Sequence, residues 1–84
     1  NYPNPFNPTT KIKFDVPKTK RASMFVTLKI YDIMGREVAE LVNENLSAGT
    51  YEANWDASKY SSGAYFYKIQ TEDYYSVKRM ALVK

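Results

Sequence analysis

Four segments of the chain alternate apolar and polar residues with a period of two, the pattern of a β-strand with one buried face. In TTKIKFDV this alternation places Ile12, Phe14 and Val16 on one face. Three more segments have the same alternation. Their inward positions are Val26, Leu28 and Ile30 in MFVTLKIYD, Tyr51, Ala53 and Trp55 in TYEANWD, and Tyr65, Tyr67 and Ile69 in GAYFYKIQ. The pattern therefore predicts four half-buried strands.

Two further segments have less decisive patterns. The apolar residues of EVAELVNENL have helical spacing, yet Val38 and Val42 also fit one face of a strand, and the neighbouring segments favour a strand. YYSVKRMALVK is interpreted as a final strand in which Met80 and Leu82 share a face with Lys78. Six or seven strands with repeats of roughly 8–12 residues are typical of a sandwich. We therefore expect an all-β fold, an immunoglobulin-like antiparallel β-sandwich of about seven strands.

The composition removes the commonest catalytic and metal-binding groups. The 84 residues include no cysteine and no histidine, hence no thiolate and no imidazole. No nucleophile motif and no glycine-rich phosphate loop occurs. Four carboxylates, those of Asp32, Asp56, Glu72 and Asp73, are candidate calcium ligands, but their spacing matches no calcium loop and solvated turns explain them better. We expect no enzyme activity, no cofactor and no metal site.

The charge pattern argues against nucleic acid and membranes as partners and in favour of another protein. The net charge of +3 is too small to favour nucleic acid, and no apolar run reaches the length of a membrane span. Residues 1–14 and 74–84 contain no acidic residue. We expect one domain over residues 1–84, with no nucleic-acid partner and no membrane insertion. Its basic final strand is a suitable place for recognition by another protein.

Eight tyrosines, four phenylalanines and one tryptophan raise the alternative of a carbohydrate-binding module. Aromatic rings stack on sugars, and five are candidates for an exposed platform: Tyr31, Tyr60, Phe66, Tyr74 and Tyr75. Tyrosine is also an ordinary residue of half-buried strands. Trp55 lies in the inward phase and is expected to be a core residue.

The first ten residues, NYPNPFNPTT, contain three prolines. Each proline fixes its own φ and restricts the preceding residue to extended geometry, so the stretch is unsuited to a regular element. We interpret residues 1–8 as a proline-rich segment that joins the domain to an upstream protein.

Five motifs follow one another along the whole chain: NYPNPFNPTTKIKF, LKIYDIMGREVAELV, LSAGTYEANWDAS, SSGAYFYKI and VKRMALVK. Together they resemble the type A C-terminal sorting domain of the type IX secretion system. The resemblance implies a seven-stranded sandwich that carries an N-terminally fused cargo from the periplasm to the cell surface or the medium. The implied partners are the outer-membrane translocon, its shuttle proteins and a cysteine-protease-type sortase that removes the domain.

The resemblance places the recognition element in the last strands, at Gly63, Tyr65, Tyr67, Lys78, Arg79, Met80, Leu82 and Lys84. Each position also has a structural interpretation, because Gly63 suits a turn and the apolar residues suit the core. The lysines are the best recognition candidates, since lysine is rarely buried. Many family members have a β-branched residue after the glycine, where this chain has Ala64.

A related family keeps another alternative open. The immunoglobulin-like domain of flagellar hook-capping proteins is similar in the YD…G and AG…Y…W segments, and such domains are structural or assembly modules. A large apolar patch would favour assembly, coplanar exposed aromatic rings would favour sugar binding, and an accessible basic final strand would favour sorting.

Overall fold

The computed structural model describes residues 9–83, which form two antiparallel sheets packed as a sandwich. The proline-rich segment 1–8 and Lys84 lie outside the described residues. One sheet pairs β1 with β4, and the other has the order β3-β2-β5-β6. The strands are β1 (Thr9–Val16), β2 (Met24–Asp32), β3 (Glu37–Leu46), β4 (Gly49–Asp56), β5 (Gly63–Gln70) and β6 (Tyr75–Leu82). The all-β sandwich prediction is confirmed.

The structure corrects the expected number of strands. Residues 9–83 contain six strands, whereas about seven were predicted. Each alternating segment of the sequence forms one strand. The connections 17–23 and 57–62 have no run of alternating apolar residues, and neither forms a further strand.

Two β-bulges explain why the sequence of β3 has helical spacing. The register with β2 shifts so that Leu41 and Val38 have no partner of their own, while Val42 lies opposite Leu28 and Ala39 opposite Ile30. Each bulge adds one residue and interrupts the period of two. The strand interpretation of this segment is confirmed, and the misleading spacing is a consequence of the bulges.

The core lies between the two sheets, mostly at the positions where the alternation predicted it; three of the predicted inward residues, Tyr51, Ala53 and Tyr67, are only partly buried. Trp55 is 2% exposed, and its ring packs against Tyr65 at 5.1 Å and Tyr60 at 5.4 Å between centroids. Its predicted role as a core residue is confirmed. The buried apolar residues are Ile12, Phe14, Val16, Met24, Val26, Leu28, Ile30, Trp55, Ala57, Tyr65, Ile69 and Leu82.

The start of β1 and the end of β6 lie at the same end of the sandwich. Thr9 is the register partner of Asp56 at the end of β4, and Leu82 is the partner of Gly63 at the start of β5. The contact between Trp55 and Tyr65 joins these two strand ends across the core. Thr9, the first described residue, therefore lies at the end of the sandwich where β6 finishes.

Candidate functional site: the edge strand β6

β6 is an edge strand with little cover. Among the described strands it pairs only with β5. Residues 75–79 are all exposed, and burial begins only at Met80 and Leu82. The reason is the unequal width of the two sheets, because a two-stranded sheet cannot cover four strands. The N-terminal half of β6 therefore offers an unpaired main-chain edge and both of its faces to a partner.

Four of the predicted recognition residues are packed against the core: Tyr65 and Leu82 are buried, and Tyr67 and Met80 are partly buried. Tyr65 and Leu82 are 6% and 4% exposed, and Met80 lies opposite Tyr65. The hydroxyl of Tyr65 donates a hydrogen bond to the carbonyl of Ser61 at 2.7 Å. These contacts attach the C-terminal half of β6 to the domain. In the folded state these side chains therefore affect a partner mainly by fixing the position of β6.

The two cations of β6 point to opposite faces of the sheet. Lys78 lies opposite Tyr67 on the inner face, which is turned toward the β1–β4 sheet, and Arg79 lies opposite Phe66 on the outer face. Both cations are exposed, and neither forms an ion pair with another residue in the range 9–83. A partner on one face would contact one cation, whereas a partner along the strand edge would reach both. The expected exposure of Lys78 is confirmed.

Of the remaining two predicted site residues, the structure describes Gly63 but not Lys84. Gly63 begins β5 with a φ of +153°, and a Cβ there would meet no atom within 4 Å. Its backbone conformation, not close packing, is what favours glycine. Gly63 lines a cavity of about 750 Å³ with Tyr65 and the β2–β3 turn. Lys84 lies outside the described residues.

The β2–β3 turn is a feature that the sequence did not single out for function. The carboxylate of Asp32 accepts hydrogen bonds from the backbone N–H groups of Met34 and Arg36, both at 2.9 Å, and from Arg36 Nε at 2.8 Å. The pKa of the Asp32 carboxyl lies below its ordinary value. The main cause is the hydrogen bond from the backbone N–H of Arg36, and the guanidinium of Arg36 makes a smaller contribution. The turn holds Ile33 and Met34 in solvent, 71% and 75% exposed.

Structural roles account for the other candidate calcium ligands as well. Asp56 accepts the N–H of Ser58 at 3.1 Å, which confirms its predicted role in the turn after β4. Glu72 accepts the N–H of Phe25 at 3.0 Å and pairs with Arg21 at 2.9 Å. Over the described part of the chain, no group of three or more metal-ligating side chains comes together. These carboxylates hold turns and strand ends in place.

The fold separates the aromatic residues that were candidates for a sugar-binding platform. The hydroxyl of Tyr60 donates to the carbonyl of Val38 at 2.7 Å, and its ring packs on Trp55. The hydroxyl of Tyr74 donates to the carbonyl of Asp15 at 3.1 Å, between the two sheets. The other three candidates lie on the outer face of the four-stranded sheet: Tyr31, Phe66 and Tyr75. The five rings do not form one surface.

One comparison with known proteins identifies a family. The model of the family described as "Secretion system C-terminal sorting domain" matches residues 1–84. Comparisons with the curated proteins and with the solved structures each find no match. Residues 9–83 contain no helix with the length and hydropathy needed to span a membrane. The match covers all of the residues predicted for the recognition site, including Lys84.

Proposed function

Because the chain belongs to the family of secretion system C-terminal sorting domains, we propose that it directs an N-terminally fused cargo protein through the type IX translocon of the outer membrane. Membership of this family makes the domain a sorting signal whose cargo is exported to the cell surface or secreted. In the proposal, cargo and domain cross the periplasm together, shuttle proteins receive them, and a cysteine-protease-type sortase then removes the domain. The domain contributes recognition and no catalysis.

The exposed edge of β6 is the observation that carries this proposal. A folded signal must present a feature that a receptor can distinguish from the cargo. The exposed residues 75–79 supply main-chain hydrogen-bonding groups, while Lys78 and Arg79 supply charge. Edge strands are templates for pairing with another chain. The predicted recognition residues then divide into side chains that touch the receptor and side chains that hold β6 in place.

In the proposal, the domain is removed after export by cleavage at or upstream of Asn1. Thr9, the first described residue, lies at the end of the sandwich where β6 finishes at Leu82. A receptor that holds the end of β6 would therefore lie near the residue to which segment 1–8 is attached.

The test is a reporter fusion in a bacterium that has the type IX system. A secreted fluorescent protein is placed before residues 1–84, and cells with and without the translocon are fractionated. We expect the reporter at the surface or in the medium, without the domain, only when the translocon is present. Lys78→Ala with Arg79→Ala should reduce export, while Lys20→Ala in the exposed loop 17–23 should not.

Reporter retained in the periplasm with a folded, intact domain, in cells with a working translocon, would contradict the proposal. The alternatives would then be tested directly, by binding to glycan arrays and by a search for assembly partners. The positions of the five candidate rings argue against the first of these, because the rings do not form one surface.

A further inference from the structure

A groove of about 390 Å³ separates the edge of β1 from the inner face of β6. Phe14, Tyr67 and Ile69 form its apolar floor, and Lys13 and Lys78 lie on its two sides. The groove exists because the β1–β4 sheet stops short of β6. It therefore occupies the place that one more strand of the smaller sheet would fill.

The side of this groove formed by β1 is an unpaired strand edge. Among the described strands β1 pairs only with β4. The hydroxyl of Tyr74, which lines the groove, donates a hydrogen bond to the carbonyl of Asp15 on β1. In an antiparallel strand, the main-chain groups of every second residue point away from the partner strand. β1 therefore directs the N–H and C=O groups of every second residue to this edge.

The two strands beside the groove carry an excess of positive charge. β1 contains Lys11, Lys13 and Asp15, while β6 contains Lys78 and Arg79 and no carboxylate. The Asp15 side chain already accepts a hydrogen bond from the hydroxyl of Thr50 at 2.8 Å. Neither Lys13 nor Lys78 has an ion-pair partner among residues 9–83. An acidic occupant would compensate these charges.

We propose that the groove binds an extended acidic peptide segment of the export machinery, which adds to β1 as a further strand. The assignment to export rests on the proposed function. Main-chain hydrogen bonds to β1 supply affinity, the apolar floor takes alternate side chains, and acidic residues face Lys13 and Lys78. A second copy of this chain fits less well. Its β1 and β6 are basic, and in its acidic edge strand β3 two of the three glutamates already pair with Lys29.

The binding test uses the isotope-labelled chain 1–84 and three synthetic peptides with blocked ends, each eight residues long like β1. One peptide alternates glutamate with valine, the second alternates lysine with valine, and the third alternates glutamate with proline. The third has the charge of the first, but every second residue lacks an N–H donor and has its φ fixed at about −65°, which disfavours pairing as a strand. We expect only the first to bind, with amide shifts concentrated in residues 11–15 and 76–78.

Charge reversal supplies the second readout. Lys13→Glu and Lys78→Glu should each weaken binding of the acidic peptide by about fivefold, since an exposed charge pair contributes modestly. Lys20→Glu, in the loop 17–23, is the control and should change it less than twofold. Both lysines are on the surface, and amide spectra of the free variants verify that the fold is retained.

Three results would overturn the inference: equal binding of the lysine peptide, equal binding of the proline peptide, or shifts that map to the outer face. A stable dimer whose interface is this groove would also overturn it. If Lys13→Glu weakens peptide binding as expected but leaves export unchanged, the groove does not serve export and the proposed function stands. If the unaltered domain fails to export its reporter, the proposed function fails whatever the peptide does.

Discussion

Truncation of Leu82 to alanine tests whether the C-terminal half of β6 is what attaches this strand to the domain. Leu82 is 4% exposed and belongs to the core cluster. Loss of a buried leucine side chain costs about 2–5 kcal/mol, depending on how far the surroundings collapse. Leu82 lies at an open end of the sandwich, where neighbours can relax, so we expect about 2–3 kcal/mol.

That loss is large for a domain of this size. A stability of roughly 0.05–0.15 kcal/mol per residue corresponds to about 4–13 kcal/mol for a chain of this length. The expected fall in melting temperature is about 10–20 °C. Arg79→Ala, in the same strand but exposed, should leave the melting temperature nearly unchanged. The pair therefore separates loss of the fold from loss of a receptor contact.

The assay is urea and thermal unfolding followed by the fluorescence of Trp55, the one tryptophan of the chain. Trp55 is buried, so its emission reports the integrity of the core. If Leu82→Ala changes the free energy of unfolding by less than about 0.5 kcal/mol, Leu82 does not anchor β6 and the reasoning from burial fails. An equal loss in Arg79→Ala would refute the division between anchoring and contact residues.

Three further substitutions have defined outcomes. The pKa of Asp32 is lowered in the folded state, so its contribution to stability is present above about pH 3.8 and is lost as the pH falls through the lowered pKa. Asp32→Asn should therefore reduce the difference between the urea midpoints measured at pH 6 and at pH 3. An unchanged difference would contradict this cause. Gly35 has a φ of +84°, and a Cβ at this position would meet no atom within 4 Å. Gly35→Ala should therefore lower the free energy of unfolding by about 1–2 kcal/mol through backbone strain alone. A neutral effect in urea unfolding would refute this assignment of strain. Tyr60→Phe removes the donor to the carbonyl of Val38, a bulged residue with no strand partner, and should cost about 1 kcal/mol. Tyr75→Phe, at a ring that is 66% exposed, is its control in thermal unfolding, and equal losses would contradict the role of the partly buried hydrogen bond.

The sequence alone determined which faces of the strands are buried. Side chains alternate across a strand, so a period of two in hydrophobicity specifies the core face without knowledge of the partner strands. Ile12, Phe14 and Val16 are buried as that period requires, and so is Trp55. The one misleading pattern, in β3, arose where bulges interrupt the alternation. The motifs also sufficed to identify the family, because five short motifs in a fixed order are much more specific than any one of them.

Only the tertiary structure decided which strands are neighbours and what lies at their edges. Strand order depends on contacts between residues far apart in sequence, such as Tyr74 with Asp15, which are 59 positions apart. The predicted site is divided between core residues, Tyr65 and Leu82, and an exposed residue, Lys78. This division follows from the unequal widths of the two sheets. The groove between β1 and β6 has the same cause. A local pattern records which face of a strand avoids water, but the identity of the neighbouring strand is a property of the whole fold.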